Sequence, residues 1–349
     1  MGEPELRAGP PWVTEEMVAA QPALARALLD SPPDGLAAFA ATLREAFDAR
    51  LPVSVVGCGT SEHGAMAIAE LLSEALGGGW PRAAAARQAL DAAEDPQRGG
   101  VCIAVSHDGG TYATTLALEA AAGRGATTAV VTNAPDGATA AAAEIVLATP
   151  VHDDSWCHTV AYNSSILVGA ALARRLGMVD VDGAAASELV RDTAGVDAAA
   201  LAGSERVLVA GAGLDSITAR ELALKLAEGA RLETAALHVE TLLHGHLAGE
   251  DAGTGVVFID TARDSGRVGR RTGLAERAVA ELGMPSVRIG PPVATVLAEP
   301  VARLLWGAAA LQALTLALVR ARGVNPDLIR RDDPAYRRAA AVAEDLADW

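Results

Sequence analysis

The chain has 349 residues, of which 51% are apolar and only 3% aromatic, enough for two domains or one doubled domain with aliphatic cores. Its formal net charge of −16 repels phosphate backbones and anionic lipid, so neither nucleic acid nor a membrane surface is an expected partner. The cysteines, Cys58, Cys102 and Cys157, are odd in number and lack metal-ligand spacing, which argues against a disulfide framework and suits a reducing cytoplasm.

The first 50 residues predict a helical lead-in, and their acidic start has no apolar core of the kind a signal peptide carries. Residues 53–61, Val-Ser-Val-Val-Gly-Cys-Gly-Thr-Ser, read as a β-branched strand closed by a Gly-X-Gly turn, with a helix predicted over 62–76. A second apolar strand follows from Val101 and ends in Ser106-His107-Asp108-Gly109-Gly110-Thr111 before another helix. Strands are expected over 128–132 and 145–148. A loop with His152, Asp153, Asp154 and His158 then precedes a helix starting near Thr159.

The pattern repeats 154 residues further on. Residues 206–213 read Arg-Val-Leu-Val-Ala-Gly-Ala-Gly, with a helix predicted over 216–232. Strands from Val256 and over 286–289 follow. The apolar run 304–319 contains Gln312 and falls short of a bilayer span, so it reads as a buried helix. Strands alternating with helices predict a parallel, doubly wound sheet in each half. The halves fall at 51–195 and 196–325, after the lead-in 1–50 and before a polar tail 326–349. Such sheets take ligands at the carboxyl ends of their strands, where the two glycine turns lie.

The turn at Gly57 lacks the third glycine of a dinucleotide fingerprint and the Gly-Lys-Ser/Thr of a nucleotide loop. It ends in two hydroxyls at a helix N-terminus, which suits either capping or an anion. The loop 106–111 repeats the arrangement on a second strand, so both turns would converge on one crevice of the kind a sugar phosphate requires. Glu221, Lys225 and Glu228 lie at i, i+4 and i+7 on one helical face. This is also the pattern of an ordinary surface stripe, worth roughly 0.2–0.5 kcal/mol per pair. Lys225 is the one lysine against 27 arginines, which points to a place where a compact ammonium fits and a planar guanidinium does not. His244 sits near His238 and His246, but neither this group nor His152–His158 has the spacing of a metal site, and no metal or other cofactor is expected.

Taken together, Cys58-Gly-Thr-Ser, Ser106-X-X-Gly-X-Thr111, Ala-Leu-Lys-Leu-X-Glu (223–228) and Leu243-His244-Gly245 resemble the SIS (sugar isomerase) family, in particular the isomerase half of glucosamine-6-phosphate synthases. Residues 15–22 look like the family's lead-in helix, and Asn325-Pro326-Asp327 resembles its C-terminal signature. The resemblance implies an α/β fold of two similar SIS subdomains, each a parallel sheet flanked by helices. It implies substrate contacts from Cys58, Gly59, Thr60, Ser61, Ser106, His107, Asp108 and Thr111. By the same resemblance, Glu228 would be the base that moves a proton between C1 and C2 of the open-chain sugar, with Lys225 beside it. His244 would assist ring opening from the partner subunit of a homodimer.

The chain departs from that pattern at Asp108, where serine is usual. A carboxylate about 4 Å from a phosphate costs on the order of 4 kcal/mol per unit charge at an effective dielectric of about 20. Either Asp108 points away, or the ligand carries a hydroxyl or ammonium there. Gly110 replaces a usual glutamate, and proline (Pro334) stands near the position of the family's C-terminal lysine. The sequence shows no glutamine amidotransferase domain, so glutamine-dependent amination is not expected. The expected activity is aldose–ketose isomerisation or deamination of a sugar or amino sugar, expected as its phosphate, in the cytoplasm. The alternative is a non-catalytic regulatory module that binds a sugar or sugar phosphate.

Overall fold

The computed structural model describes residues 4–191 and 197–344, so the expected boundary at 195/196 and residues 345–349 of the tail lie outside the described residues. Two helices open the chain, α1 (Val13–Asp30) and α2 (Leu36–Asp48). There follow β1 (Val53–Gly57), α3 (Thr60–Ala75), β2 (Ala85–Gln88), α4 (Ala89–Glu94), β3 (Val101–Val105), α5 (Tyr112–Ala122), β4 (Thr127–Thr132), α6 (Ala138–Ala141) and β5 (Ile145–Ala148). Helices α7 (Val160–Arg175) and α8 (Gly183–Arg191) complete the first half. The second half runs β6 (Arg206–Gly211), α9 (Asp215–Gly229), β7 (Glu233–His238), α10 (Val239–Leu243), β8 (Thr254–Ile259), α11 (Gly266–Glu281), β9 (Ser286–Ile289) and α12 (Glu299–Arg322).

Both sheets are wholly parallel, in the order β2-β1-β3-β4-β5 and β7-β6-β8-β9. Every residue of β1, β3 and β8 is buried, which is why these strands read as continuous apolar runs: helices cover both faces. The edge strands β2 (Ala-Ala-Arg-Gln) and β7 (Glu-Thr-Ala-Ala-Leu-His) are partly exposed and carry little β-branched residue content, so no strand is predicted there. In each sheet the chain order reverses beside the first strand. The switch points therefore fall between β1 and β3 and between β6 and β8.

Several predicted boundaries shift. Helix α3 begins at Thr60 and not at residue 62. Helix α9 spans Asp215–Gly229 and not 216–232, because Arg231 adopts a left-handed backbone (φ 55°) that ends it. The tail contains α13 (Pro334–Ala343), started by Pro334 and by Asp333, whose side chain accepts the Ala335 N–H.

One core joins the inner faces of both sheets: Val55 and Ile103 of the first and Val207, Val209 and Val257 of the second share it with α7 and α12. Smaller clusters cover the outer faces. Helix α12 is long and apolar enough to cross a membrane, yet 83% of its apolar window is buried inside the protein, against α3, α7, α8 and α9. The chain ends are pinned together through the fully buried Asp327. Its carboxylate accepts the N–H groups of Val13 (3.0 Å) and Thr14 (2.8 Å), capping α1, and bonds the Thr14 and Ser155 hydroxyls.

Candidate functional site

The two glycine turns have the same geometry. Gly59 and Gly213 both have φ of +56°. A Cβ on Gly57 would lie 2.5 Å from the Ser61 carbonyl group, and one on Gly211 would lie 2.6 Å from the Asp215 oxygen. Each strand thus ends in a glycine because the first helical turn folds back onto it. The 154-residue offset also holds across the switch point, since Val56 pairs with Ala104 and Ala210 with Phe258. Ser61 therefore corresponds to Asp215, and His107 to Thr261.

In the second half those two counterparts are joined. The Asp215 carboxylate accepts the Thr261 N–H (3.1 Å) and its hydroxyl, and pairs with Arg303 at 3.0 Å. No such bond joins Ser61 to His107 among the described residues.

A buried ionic network lies between α3 and α9. Glu221 and Lys225 have side chains only 1% exposed, and Glu228 is 22% exposed. Lys225 Nζ stands 2.5 Å from Glu228 and 3.6 Å from Glu221. Glu221 also bonds His63 Nδ1 at 2.7 Å and accepts the Thr60 hydroxyl at 3.3 Å. Burial raises the Glu228 pKa above the ordinary carboxylate value, and the opposing pull of Lys225 does not cancel it. Burial also pushes Glu221 upward, but Lys225 and His63 outweigh it and the net shift is downward. For Lys225 burial opposes the charge, yet the two glutamates overcome it and hold the ammonium protonated well above its usual range. The two carboxylates are thus pushed in opposite directions, Glu221 down and Glu228 up, and the upward shift is the one that suits a general base. Thr60, expected at the ligand, spends its hydroxyl on Glu221.

The remaining predicted residues cluster at the switch point. Cys58 contacts the Thr114 hydroxyl (3.8 Å) and Gln88 (3.7 Å), and burial raises its thiol pKa, so it packs as a neutral group. Ser61 is half-buried and Thr111 exposed. Ser106 is buried and accepts from Thr139 at 3.4 Å. His107 Nε2 accepts the Asp153 N–H at 2.9 Å, which leaves the ring proton of the neutral form on Nδ1. Burial first, then His152, lowers its pKa to about 4. Asp153 in turn caps α7, its Oδ2 accepting the N–H groups of Thr159 (2.6 Å) and Ala161 (3.1 Å).

Asp108 does not point into solvent. Its oxygens lie 3.4 Å from His152 Nε2 and 3.6 Å from His158 Nε2, and the rings of both histidines lie close to His107, at 5.6 and 5.7 Å between centroids. Burial raises the Asp108 pKa, partly offset by His152. Despite this concentration of histidines and carboxylates, no group of three or more His, Cys, Asp or Glu among the described residues is arranged to hold a metal ion. His244 stands apart from these loops: its side chain is 72% exposed and contacts Glu240 (3.3 Å) and Arg271 (3.3 Å).

Residues 48–174, spanning the first sheet and its crevice, match the family model of the SIS domain. This segment of the chain is similar to SIS domains. It is 32% identical to a glutamine–fructose-6-phosphate aminotransferase (isomerizing) of Symbiobacterium thermophilum, over 61% of this chain and 38% of that relative, so it spans well under half of that relative's length. The solved structures that share its fold include the tagatose-6-phosphate ketose/aldose isomerase of Escherichia coli (TM-score 0.75, 19% identity, covering 93% of this chain and 98% of that one). The glucosamine-6-phosphate deaminase of Thermotoga maritima is a second (TM-score 0.67, 18% identity, covering 90% and 96%). At these identities the structures speak for the fold, two parallel sheets flanked by helices.

Within this architecture, sequence reasoning did not assign His63, His152, His158 or Asp153 to the crevice. His63 follows Thr60 at i+3, one turn along α3, which puts both on the face that meets α9; that spacing was the available signal. His152 and His158 stand 44 and 50 residues after Asp108 along the chain, and no local pattern announces that β5 pairs with β4 and so brings the segment after it to the loop after β3.

Proposed function

We infer that this chain is a sugar or amino-sugar aldose–ketose isomerase or deaminase that works through an enediol or enediolamine. The observation that carries the reading is the Lys225–Glu228 pair, buried on α9, with the Glu228 pKa raised by that burial. Glu228 would take the proton from C2 of the open-chain sugar and return it to C1. Lys225 would hold that carboxylate in place and stabilise charge developing on the enediolate. The crevice of the first half, from Cys58 to Ser61 and Ser106 to Thr111, would hold the far end of the sugar. The relatives named above act on sugar phosphates by their names, which supports this substrate family.

His244 would open the ring. Its exposure, and its contacts to Glu240 and Arg271 among the described residues, fit a side chain that serves the site of a second subunit, so the reading includes a homodimer with shared sites in the cytoplasm. The same exposure fits a sugar-binding regulatory module that performs no chemistry. Proton exchange at C2 of a bound sugar in heavy water separates the two. An enzyme washes deuterium into C2, and Glu228→Gln slows that exchange by about 10²–10⁴-fold with little change in binding. A binding module shows no exchange with any bound sugar, and wild-type exchange in Glu228→Gln refutes the assignment of the base.

A further inference from the structure

A cavity of about 220 Å³ opens at the carboxyl ends of the second sheet, next to the switch point between β6 and β8. Its walls come from the loops after β8 and β9 and from the start of α12. Parallel sheets take ligands at this end of their strands. Thr261 lines the cavity, but its N–H and hydroxyl are already given to Asp215. A ligand there must find its partners elsewhere.

Two guanidinium groups on the lining have donors to spare. Arg303 spends Nη2 on Asp215 at 3.0 Å and Nε on the Thr261 hydroxyl at 3.2 Å. Its Nη1 stands 3.8 Å from Glu299, an ion-pair separation too long for a hydrogen bond. Arg263 gives Nη2 to the Val293 carbonyl at 3.3 Å, and its other N–H groups have no protein partner among the described residues. Both guanidiniums stay charged at any working pH. The opposing charge is Asp215, already paired, and Glu299, whose side chain is 62% exposed and can turn to water. Pro292, Leu297 and Ala302 supply apolar wall.

Volume and charge select the ligand. At about 30 Å³ per water-sized group, the space holds on the order of seven non-hydrogen atoms, which excludes a hexose phosphate. Two carboxylates beside two guanidiniums leave room for one added negative charge, and a phosphate dianion would meet repulsion from both. A carboxylate suits the planar fork of a guanidinium, and a short apolar body suits the walls. We propose that this cavity is a binding site for a small monocarboxylate, held by Arg263 and by Arg303 Nη1 and separate from the crevice of the first half. It stands whether or not the first half binds a sugar.

Calorimetric titration of the full chain at pH 7.5 tests it, with butyrate, pyruvate, butyramide and inorganic phosphate as titrants. Butyramide is the neutral counterpart of butyrate. The wild type is expected to bind at least one of the two carboxylates saturably, with a Kd of about 1 mM or below. Butyramide should bind about tenfold more weakly than butyrate, and phosphate more weakly than the better carboxylate. Arg263→Gln, at an exposed position, should weaken the carboxylate by about tenfold. Glu299→Gln removes the like charge at the rim and should tighten it by about three- to tenfold, a gain that poor folding does not imitate. The proposal is overturned if neither carboxylate binds the wild type saturably, or if phosphate or butyramide binds as tightly. It is also overturned if Arg263→Gln keeps wild-type affinity or Glu299→Gln binds no more tightly.

Discussion

Replacing Lys225 by methionine removes one charge from the most buried part of the molecule and leaves two. Glu221 and Glu228 then share a helical face, with His63 as the remaining cation-capable neighbour in direct contact. Truncating one partner of a buried, hydrogen-bonded ion pair typically costs about 3–5 kcal/mol, because the surviving charge stays desolvated and uncompensated. Urea unfolding followed by tryptophan fluorescence should show that loss near pH 7.5. The pH dependence is the sharper signature. In the wild type the Lys225 pKa is raised, so its contribution is fully present below the unfolded value of about 10.4 and is the same at pH 7.5 and 5.5. In the variant the bare carboxylates have folded pKa values pushed up, so the folded state takes up protons and regains stability as pH falls. The gap between the two proteins should narrow by about 1 kcal/mol or more at pH 5.5. Lys225→Arg keeps the charge but must fit a broader, planar group, and about 1–3 kcal/mol of overpacking cost is expected. A loss below about 1 kcal/mol for Lys225→Met at pH 7.5, or one that does not shrink at pH 5.5, would refute the claim that this lysine neutralises two buried glutamates.

Acid stability gives a second test. The His107 pKa falls to about 4 on folding, so its neutral form contributes stability present above the unfolded value of about 6.5 and lost as pH falls toward 4. His107→Gln should remove about 3 kcal/mol of that acid-induced loss by pH 4; an unchanged acid limb in equilibrium unfolding would contradict it. Asp153, raised to about 6 by burial, acts in the opposite sense, its folded form gaining stability as pH drops from about 6 to about 4, so the comparison must be made on the difference between variant and wild type. Gly57→Ala and Gly211→Ala meet nearly the same clash and should each cost about 1–3 kcal/mol in unfolding experiments. Only Gly57→Ala should abolish the thermal shift produced by a sugar that binds the wild type. Equal loss of the shift in both would place the ligand elsewhere.

The sheets were legible wherever burial made strands continuous in apolar residues. Val53–Gly57 and Val101–Val105 coincide with the expected runs, because a strand covered on both faces is built of apolar residues. The edge strands β2 and β7 escaped notice, since half-exposed alanines and charges look like helix or loop. At the crevice the sequence marked the turns, because glycine is forced there by backbone contact. It could not show that Thr60 turns inward to Glu221, nor that two histidines from the segment after β5 face Asp108. Those pairings depend on the strand order, and strand order is set by long-range packing that leaves no local pattern.

The bond from Asp215 to Thr261 and Arg303 gives the second half a tethered ligand. A carboxylate carried on the same chain meets its site at a very high effective concentration and forfeits no translational freedom on arriving, so dissolved anions compete poorly for that position. A duplicated domain begins with two equivalent crevices. Here one side chain, four residues beyond Gly211, takes up a backbone N–H at one of them. The same ion pair, from Asp215 at the start of α9 to Arg303 on α12, fixes the helix that carries Lys225 and Glu228 against the longest helix of the protein.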